Sequence, residues 1–168
     1  MKANVTLVTN VVTVLAAALW FGGMIALGAI VAPVVFGVVP MPTSADAMTV
    51  VFRRFDVVAM ACAVILLAGE GWRLYVVPKI SRLDFGRAGT LAIATVLAGF
   101  EGLVVAPRVA ELHAAGAIRG VGDMGERLEA AHLLAERTSK WEAILVVAFV
   151  ILFVRGVTPR SDPGSEDV

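Results

Sequence analysis

The residues with the clearest capacity for chemistry form the short pattern Glu129-Ala-Ala-His132, which is followed by Glu136. On a helix these spacings place two carboxylates and an imidazole on one face. Di-iron carboxylate bundles use such Glu-x-x-His turns as ligands, but they need two and the chain has one. His113 and Glu111 are the only complement from an opposing arm. One hypothesis is therefore a divalent metal or haem site, and the other is a solvated helix with alternating charges.

Two further carboxylates, Glu70 and Glu101, lie inside apolar stretches. A charge at the centre of a bilayer costs about 2.5–3.5 kcal/mol on insertion scales, so such residues are candidates for function. Arg73 follows Glu70 by three residues, which predicts a local ion pair near one membrane face. Glu101 has no such neighbour and is expected near the other face. It either handles a proton or cation, or accepts a buried hydrogen bond from another helix.

The sequence contains no pattern that predicts an enzyme. It has no paired cysteines, no Gly-rich phosphate loop, no hydrolase elbow and no basic patch for nucleic acid. The single cysteine, Cys62, lies in an apolar stretch and is interpreted as a small packing residue. We therefore expect no catalytic residues, no resident cofactor and no nucleic-acid partner.

The elements that must position these groups are membrane helices. Hydrophobic residues make up 59% of the chain and charged residues 17%, and no charged residue or histidine occurs between Lys2 and Asp46. A spanning helix needs about 20 apolar residues. The sequence predicts one all-α membrane domain over residues 1–158, a four-helix bundle with spans at about 5–33, 54–78, 88–107 and 141–157. Residues 108–140 are predicted to form a helical hairpin outside the bilayer, broken by glycines near Gly120, and residues 159–168 a disordered polar tail.

Residues of the first span suggest how the bundle packs. Trp20, Gly22, Gly23 and Ala26 form a candidate packing motif, because small residues at every fourth position let helix backbones approach closely in lipid. The seam serves either the bundle itself or a homo-oligomer. Asn10, with Thr6 and Thr13, forms a polar stripe suited to interhelical hydrogen bonding or to lining a pore. Pro33 predicts a helix break, a feature common at transport sites.

The distribution of basic residues predicts the orientation. Lys79, Arg82 and Arg87 crowd one short connection, whereas the longer loop on the opposite side is rich in glutamate. Short basic loops stay cytoplasmic. Both termini are therefore expected in the cytoplasm, with the chain in a bacterial inner membrane. The expected partners are the lipid bilayer and a second copy or another subunit of a membrane complex.

Several short motifs resemble one known family: Trp20-Phe21-Gly22-Gly23, then Ala32-Pro33 followed by Phe36, then Phe52-Arg53-Arg54-Phe55, and finally His132 before the last span. Together they resemble the transmembrane protein 205 family. The resemblance implies a four-helix membrane protein without an established enzymatic activity, and a eukaryotic member is linked to resistance to platinum drugs. A more distant similarity is to copper-resistance D and protoporphyrinogen-oxidase-like membrane families.

Two functions are consistent with these observations. The first is a non-enzymatic membrane protein that acts in transport or export, in resistance, or in assembly of a membrane complex, and that depends on Glu101 and the Pro33 break. The alternative is a metal- or haem-binding membrane redox protein that uses His113, Glu129 and His132 of the hairpin.

Overall fold

The computed structural model describes residues 2–76 and 79–158, which form four long helices and no strand. We label them α1 to α4. Their bounds are as follows: α1 comprises Lys2–Ile25, a π-helical segment Ala26–Val31 and Ala32–Val38; α2 is Thr43–Val76; α3 comprises Arg82–Phe100, a π-helical segment Glu101–Val105 and Ala106–Ala114; α4 is Gly122–Val157. The all-helical architecture predicted from the sequence is confirmed. The predicted tail at 159–168 and the last two residues of the predicted second span lie outside the described residues.

Pro33 does not break α1, contrary to the sequence-based expectation. The helix continues to Val38, and the residues before the proline form a π-helical segment in which the amide of Ala32 bonds to the carbonyl of Leu27. A proline lacks the amide hydrogen and crowds the carbonyl four residues back. The wider π turn accommodates both effects without ending the helix. The segment Glu101–Val105 precedes Pro107 in the same way.

Local signals set the helix ends. Ser81 caps α3, because its hydroxyl accepts from the amide of Asp84 while the Asp84 carboxylate accepts from the amide of Ser81. The connection from α3 to α4 turns on Gly116 and Gly120, whose φ angles are +79° and +73° and therefore favour glycine. A side chain at Gly125 would collide with the carbonyl of Ile118. Within residues 108–140, the end of α3 folds back against the start of α4.

The core lies where the four helices meet. Its largest side chains are Trp20, Leu66, Leu91, Val146 and Phe149, and alanines 59, 63, 94 and 98 are buried between them. Small residues therefore line the packed faces of α2 and α3. Of the motif predicted on α1, Trp20 is buried and Gly23 lies against the Phe55 ring, but the other two positions do not form a buried seam within the described chain. Ala18 and Gly22 are exposed and Ala26 is half-buried, whereas Ala16, Ala17 and Trp20 face the core.

Candidate functional site

Glu101 occupies the first position of the π-helical segment in α3 and faces α4. The Ser139 hydroxyl of α4 lies 2.7 and 2.9 Å from the two oxygens of the Glu101 carboxylate. It also lies 2.9 Å from the carbonyl of Ala135. A hydroxyl has a single hydrogen to donate, so these acceptors share it. One of the two sequence-based alternatives for Glu101, a hydrogen bond from another helix, is thus present.

Glu142 is a second interior carboxylate, and the sequence analysis did not single it out. It lies on α4 close to Ser139, and its Oε1 accepts a hydrogen bond of 2.6 Å from the indole nitrogen of Trp20 on α1. Both side chains are buried. The signal was available, because Glu142 is a charged residue inside the predicted fourth span. Trp20 belongs to the predicted packing motif, and its indole nitrogen adds a polar contact to its packing role.

Asp56 of α2 completes an acidic cluster, which we define as Asp56, Glu101 and Glu142. A Cβ added at Gly102 would lie 3.4 Å from the Asp56 Cβ, so α2 and α3 are closely packed here. Asp56 acts electrostatically on both Glu101 and Glu142. Three helices thus each contribute one carboxylate to the same part of the bundle, where Glu142 is buried and Asp56 and Glu101 are half-buried.

The acidic cluster shows no ion pair among the residues that the structure describes. Within residues 2–76 and 79–158, none of its three carboxylates forms an ion pair within 4.0 Å. Arg53, one turn before Asp56, is the cation that acts electrostatically on it. In the same part of the chain no group of three or more His, Cys, Asp or Glu residues is close enough to hold one metal ion. The arrangement is suited to exchanging protons, or to attracting a cation that each carboxylate contacts in turn.

A separate polar cluster lies at the other end of the bundle, and it corrects one prediction. Glu70 pairs with Arg87 of α3, whose Nε lies 2.7 and 2.8 Å from its two carboxylate oxygens, and not with Arg73. Arg87 also donates to Asp84 at 3.0 Å. Arg73 instead donates to Asn10 and stacks on the Phe153 ring at 4.1 Å. Here the charges are balanced, so this cluster is suited to joining α1, α2, α3 and α4.

The two hairpin histidines are in contact with each other. The ring centres of His113 and His132 are 5.6 Å apart, with one ring edge against the face of the other. That contact leaves no room for a porphyrin between them. The neighbouring carboxylates have other partners: Glu129 forms an ion pair with Arg119, and Glu136 pairs with Lys140 at 2.6 Å.

The electrostatics of the hairpin favour an uncharged His132. Burial lowers the pKa of His132, and the positive charge of Arg119 and the neighbouring His113 lower it further. The hydrogen bond from Arg119 lowers the pKa of Glu129, and that from Lys140 lowers the pKa of Glu136. Glu129 and Glu136 therefore remain ionised and paired with their cations, while the His132 imidazole is neutral near pH 7.

Comparison with family models places residues 15–117 in a domain of unknown function, DUF4149. The chain belongs to the DUF4149 family. No curated protein and no solved structure matches it. The DUF4149 region supplies Trp20, Asp56 and Glu101, together with the Glu70 and Arg87 pair. Glu142 and Ser139 lie beyond it, on α4, so the DUF4149 region contains only part of the acidic cluster.

Proposed function

We propose that this protein is a four-span transporter or export factor of the bacterial inner membrane, in which the acidic cluster binds and releases a proton or a cation. It acts without catalytic machinery and without a resident cofactor. The observation that carries the proposal is that Asp56, Glu101 and Glu142 converge from three helices and form no ion pair with any residue that the structure describes. Ionisable groups inside membrane bundles typically mark ion pathways and proton relays.

The outer surfaces of the helices support a membrane location. Two helical stretches, Val5–Val38 and Arg82–Ala114, are long and apolar enough to cross a bilayer. The other two helices contain 34 and 36 residues, and large apolar side chains project outward from them, among them Val57, Val64, Ile144 and Ile151. Their charges at Glu70 and Glu142 are buried inside the bundle. Contact with lipid tails would account for apolar side chains on the outside and charged side chains on the inside of the bundle.

A structural role for the acidic cluster is less consistent with its contacts. A carboxylate that only holds helices together is expected to have a cation close by, as Glu70 has in Arg87. Glu101 instead contacts a hydroxyl that has a second acceptor, the Ala135 carbonyl. The Ser139 hydrogen can therefore turn to Ala135 when Glu101 is protonated, and back when it is ionised. Because of this exchange, Glu101 can be protonated while the Ser139 hydroxyl keeps an acceptor.

The orientation follows from the basic residues around the α2 to α3 connection. We place Lys79, Arg82 and both termini in the cytoplasm, which puts the α3 to α4 hairpin on the opposite side. The acidic cluster then lies on the hairpin side of the polar cluster of Glu70 and Arg87. The resemblance to the transmembrane protein 205 family adds an export or resistance role to this proposal. A homo-oligomer or a membrane-complex partner is compatible with it.

Proton or cation movement by the purified protein tests this function. In liposomes that contain a trapped pH-sensitive dye and carry an imposed pH gradient, the parent should accelerate dissipation of the gradient. Glu101→Gln and Glu142→Gln should reduce that rate at least about tenfold, because an amide does not exchange a proton in this range. Glu136→Gln, on the exposed hairpin face, is the matched control and should keep the parent rate. Equal rates in the parent and in Glu101→Gln would contradict the proposal.

A further inference from the structure

The contact between His113 and His132 has the spacing of two ligands to one metal ion. Imidazole nitrogens that bind a tetrahedral ion at about 2.0–2.1 Å place their ring centres about 5–6 Å apart. The observed separation is 5.6 Å. The two residues come from different helices, and both are half-buried. Binding of one ion would require the side-chain torsions to aim one nitrogen of each ring at a shared point.

We propose that His113 and His132 form a two-imidazole binding site for a divalent transition-metal ion such as Zn²⁺, Ni²⁺ or Cu²⁺. Imidazole is a preferred ligand of these ions. Water completes the coordination, so the ion is held in an open site from which it exchanges readily. This site lies outside the acidic cluster and is separate from the proton or cation step assigned to it.

The neighbouring carboxylates set the composition of the site. Glu129 is held by two hydrogen bonds from Arg119, one of them 3.0 Å long, and Glu136 by Lys140. Neither is free to turn toward the imidazoles without losing its cation. The sequence pattern Glu129, His132 and Glu136 on one helical face therefore yields one metal ligand, and the second comes from α3.

The two histidines lie on the same helices as two members of the acidic cluster. His113 follows Glu101 on α3, and His132 precedes Ser139 on α4. The contact between the histidines and the contact between Glu101 and Ser139 therefore both lie along the seam between α3 and α4. At about 1.5 Å per residue, the histidines lie roughly 15–18 Å from the two carboxylates along the helix axes. An ion bound at the hairpin is thus outside the predicted bilayer and on the seam that leads to the acidic cluster.

Direct metal binding tests the site without requiring transport. The full chain, purified in detergent without a histidine tag, is titrated calorimetrically with Zn²⁺ at pH 7.5. We expect one ion per chain, and His113→Asn and His132→Asn should each weaken binding at least about tenfold, since even loss of an outer-shell partner costs 10–100-fold. Glu129→Gln and Glu136→Gln should keep the parent affinity. Parent-like binding in the double histidine variant, or no binding in the parent, would overturn the site.

Paramagnetic resonance provides a second measurement, whose main result comes from the parent protein and needs no variant to fold. With one equivalent of Cu²⁺, the spectrum should show two coordinated imidazole nitrogens, and one in His113→Asn. None or one in the parent would contradict the two-imidazole assignment. Because this readout is independent of flux, failure of the metal site leaves the acidic-cluster proposal in place, and a failed flux assay leaves the metal site in place.

Discussion

The indole nitrogen of Trp20 donates a 2.6 Å hydrogen bond to the Glu142 carboxylate and thereby joins α1 to α4 inside the bundle. The indole has no exposed surface and Glu142 is 4% exposed. A buried acceptor that loses its donor retains its full desolvation cost. This bond therefore fixes the rotation of α1 and orients one member of the acidic cluster.

Replacing the Trp20 indole tests that bond. Trp20→Phe removes the donor and part of the buried ring, and we expect it to lower the free energy of unfolding by about 1–3 kcal/mol for the unsatisfied carboxylate alone. Glu142→Gln keeps an acceptor oxygen and should cost less. Thermal unfolding in detergent measures both effects. Trp72→Phe is the control, because Trp72 is 43% exposed. Equal losses at Trp20 and Trp72 would show that the bond contributes nothing.

The Glu70 and Arg87 pair should behave as a buried ion pair. Both side chains are only 4% exposed, so Arg87→Met leaves an uncompensated buried charge and should cost about 3–5 kcal/mol. The double variant Glu70→Met with Arg87→Met should recover most of that loss. Arg82→Met, at an exposed position, is the control. Chemical denaturation in mixed micelles measures all three, and a double variant as unstable as Arg87→Met would contradict this account.

Adjacent glycines on α1 should respond oppositely to a methyl group. A Cβ at Gly23 would collide with the edge of the Phe55 ring, whereas one at Gly22 meets nothing within 4 Å. Gly23→Ala should destabilise the protein by about 1–3 kcal/mol through overpacking, and Gly22→Ala should be tolerated. Their melting temperatures in the parent and in a Phe55→Leu background are the measurement. If the smaller residue at 55 gives no relief to Gly23→Ala, the ring contact is not the cause.

The ion pair between Glu129 and Arg119 should make the stability of the hairpin depend on pH in one direction. Because Arg119 lowers the Glu129 pKa, the pair stabilises the hairpin above the ordinary glutamate range, and that contribution is lost as pH falls through the lowered folded-state value. Carbon NMR of the side-chain carboxyl should show Glu129 titrating at higher pH in Arg119→Ala than in the parent. Lys140→Ala should move Glu136 and leave Glu129 in place. A Glu129 titration unchanged by Arg119→Ala would exclude the pairing.

The orientation is testable by cysteine accessibility. The native Cys62 is 3% exposed, so Cys62→Ala provides a clean background. In intact cells an impermeant maleimide should label Ile118→Cys on the hairpin, and should label Arg82→Cys only after permeabilisation. The reverse pattern would overturn the orientation while leaving the number of spans unchanged.

The helices and the hairpin were predictable because their signals, long charge-free runs and clustered glycines, are local in the sequence. The partner of Glu70 was not. Spacing along α2 favoured Arg73, but the short connection to α3 returns Arg87 to the same level, and Arg73 is drawn to Asn10 and Phe153. Spacing along one helix identifies only partners on that helix. It therefore missed the ion pair between Glu70 on α2 and Arg87 on α3.

The small-residue pattern also could not identify which face of α1 packs into the bundle. Small residues every fourth position occur on more than one face of this helix, and nearly every remaining position is apolar. Such a helix has no polar side to mark its outer surface. The Trp20 bond to Glu142 decides the rotation, and that bond depends on a residue 122 positions away.

The π-helical segment Glu101–Val105 changes the phase of α3. From Glu101 to His113 the chain advances twelve residues, which on an uninterrupted α-helix at about 100° per residue would place them a third of a turn apart. A π turn takes up one additional residue and returns the two side chains to nearly the same azimuth, so that one meets Ser139 and the other His132 on α4. Converting this turn to regular α-helix at constant length would rotate His113 away from its partner while leaving Glu101 in place.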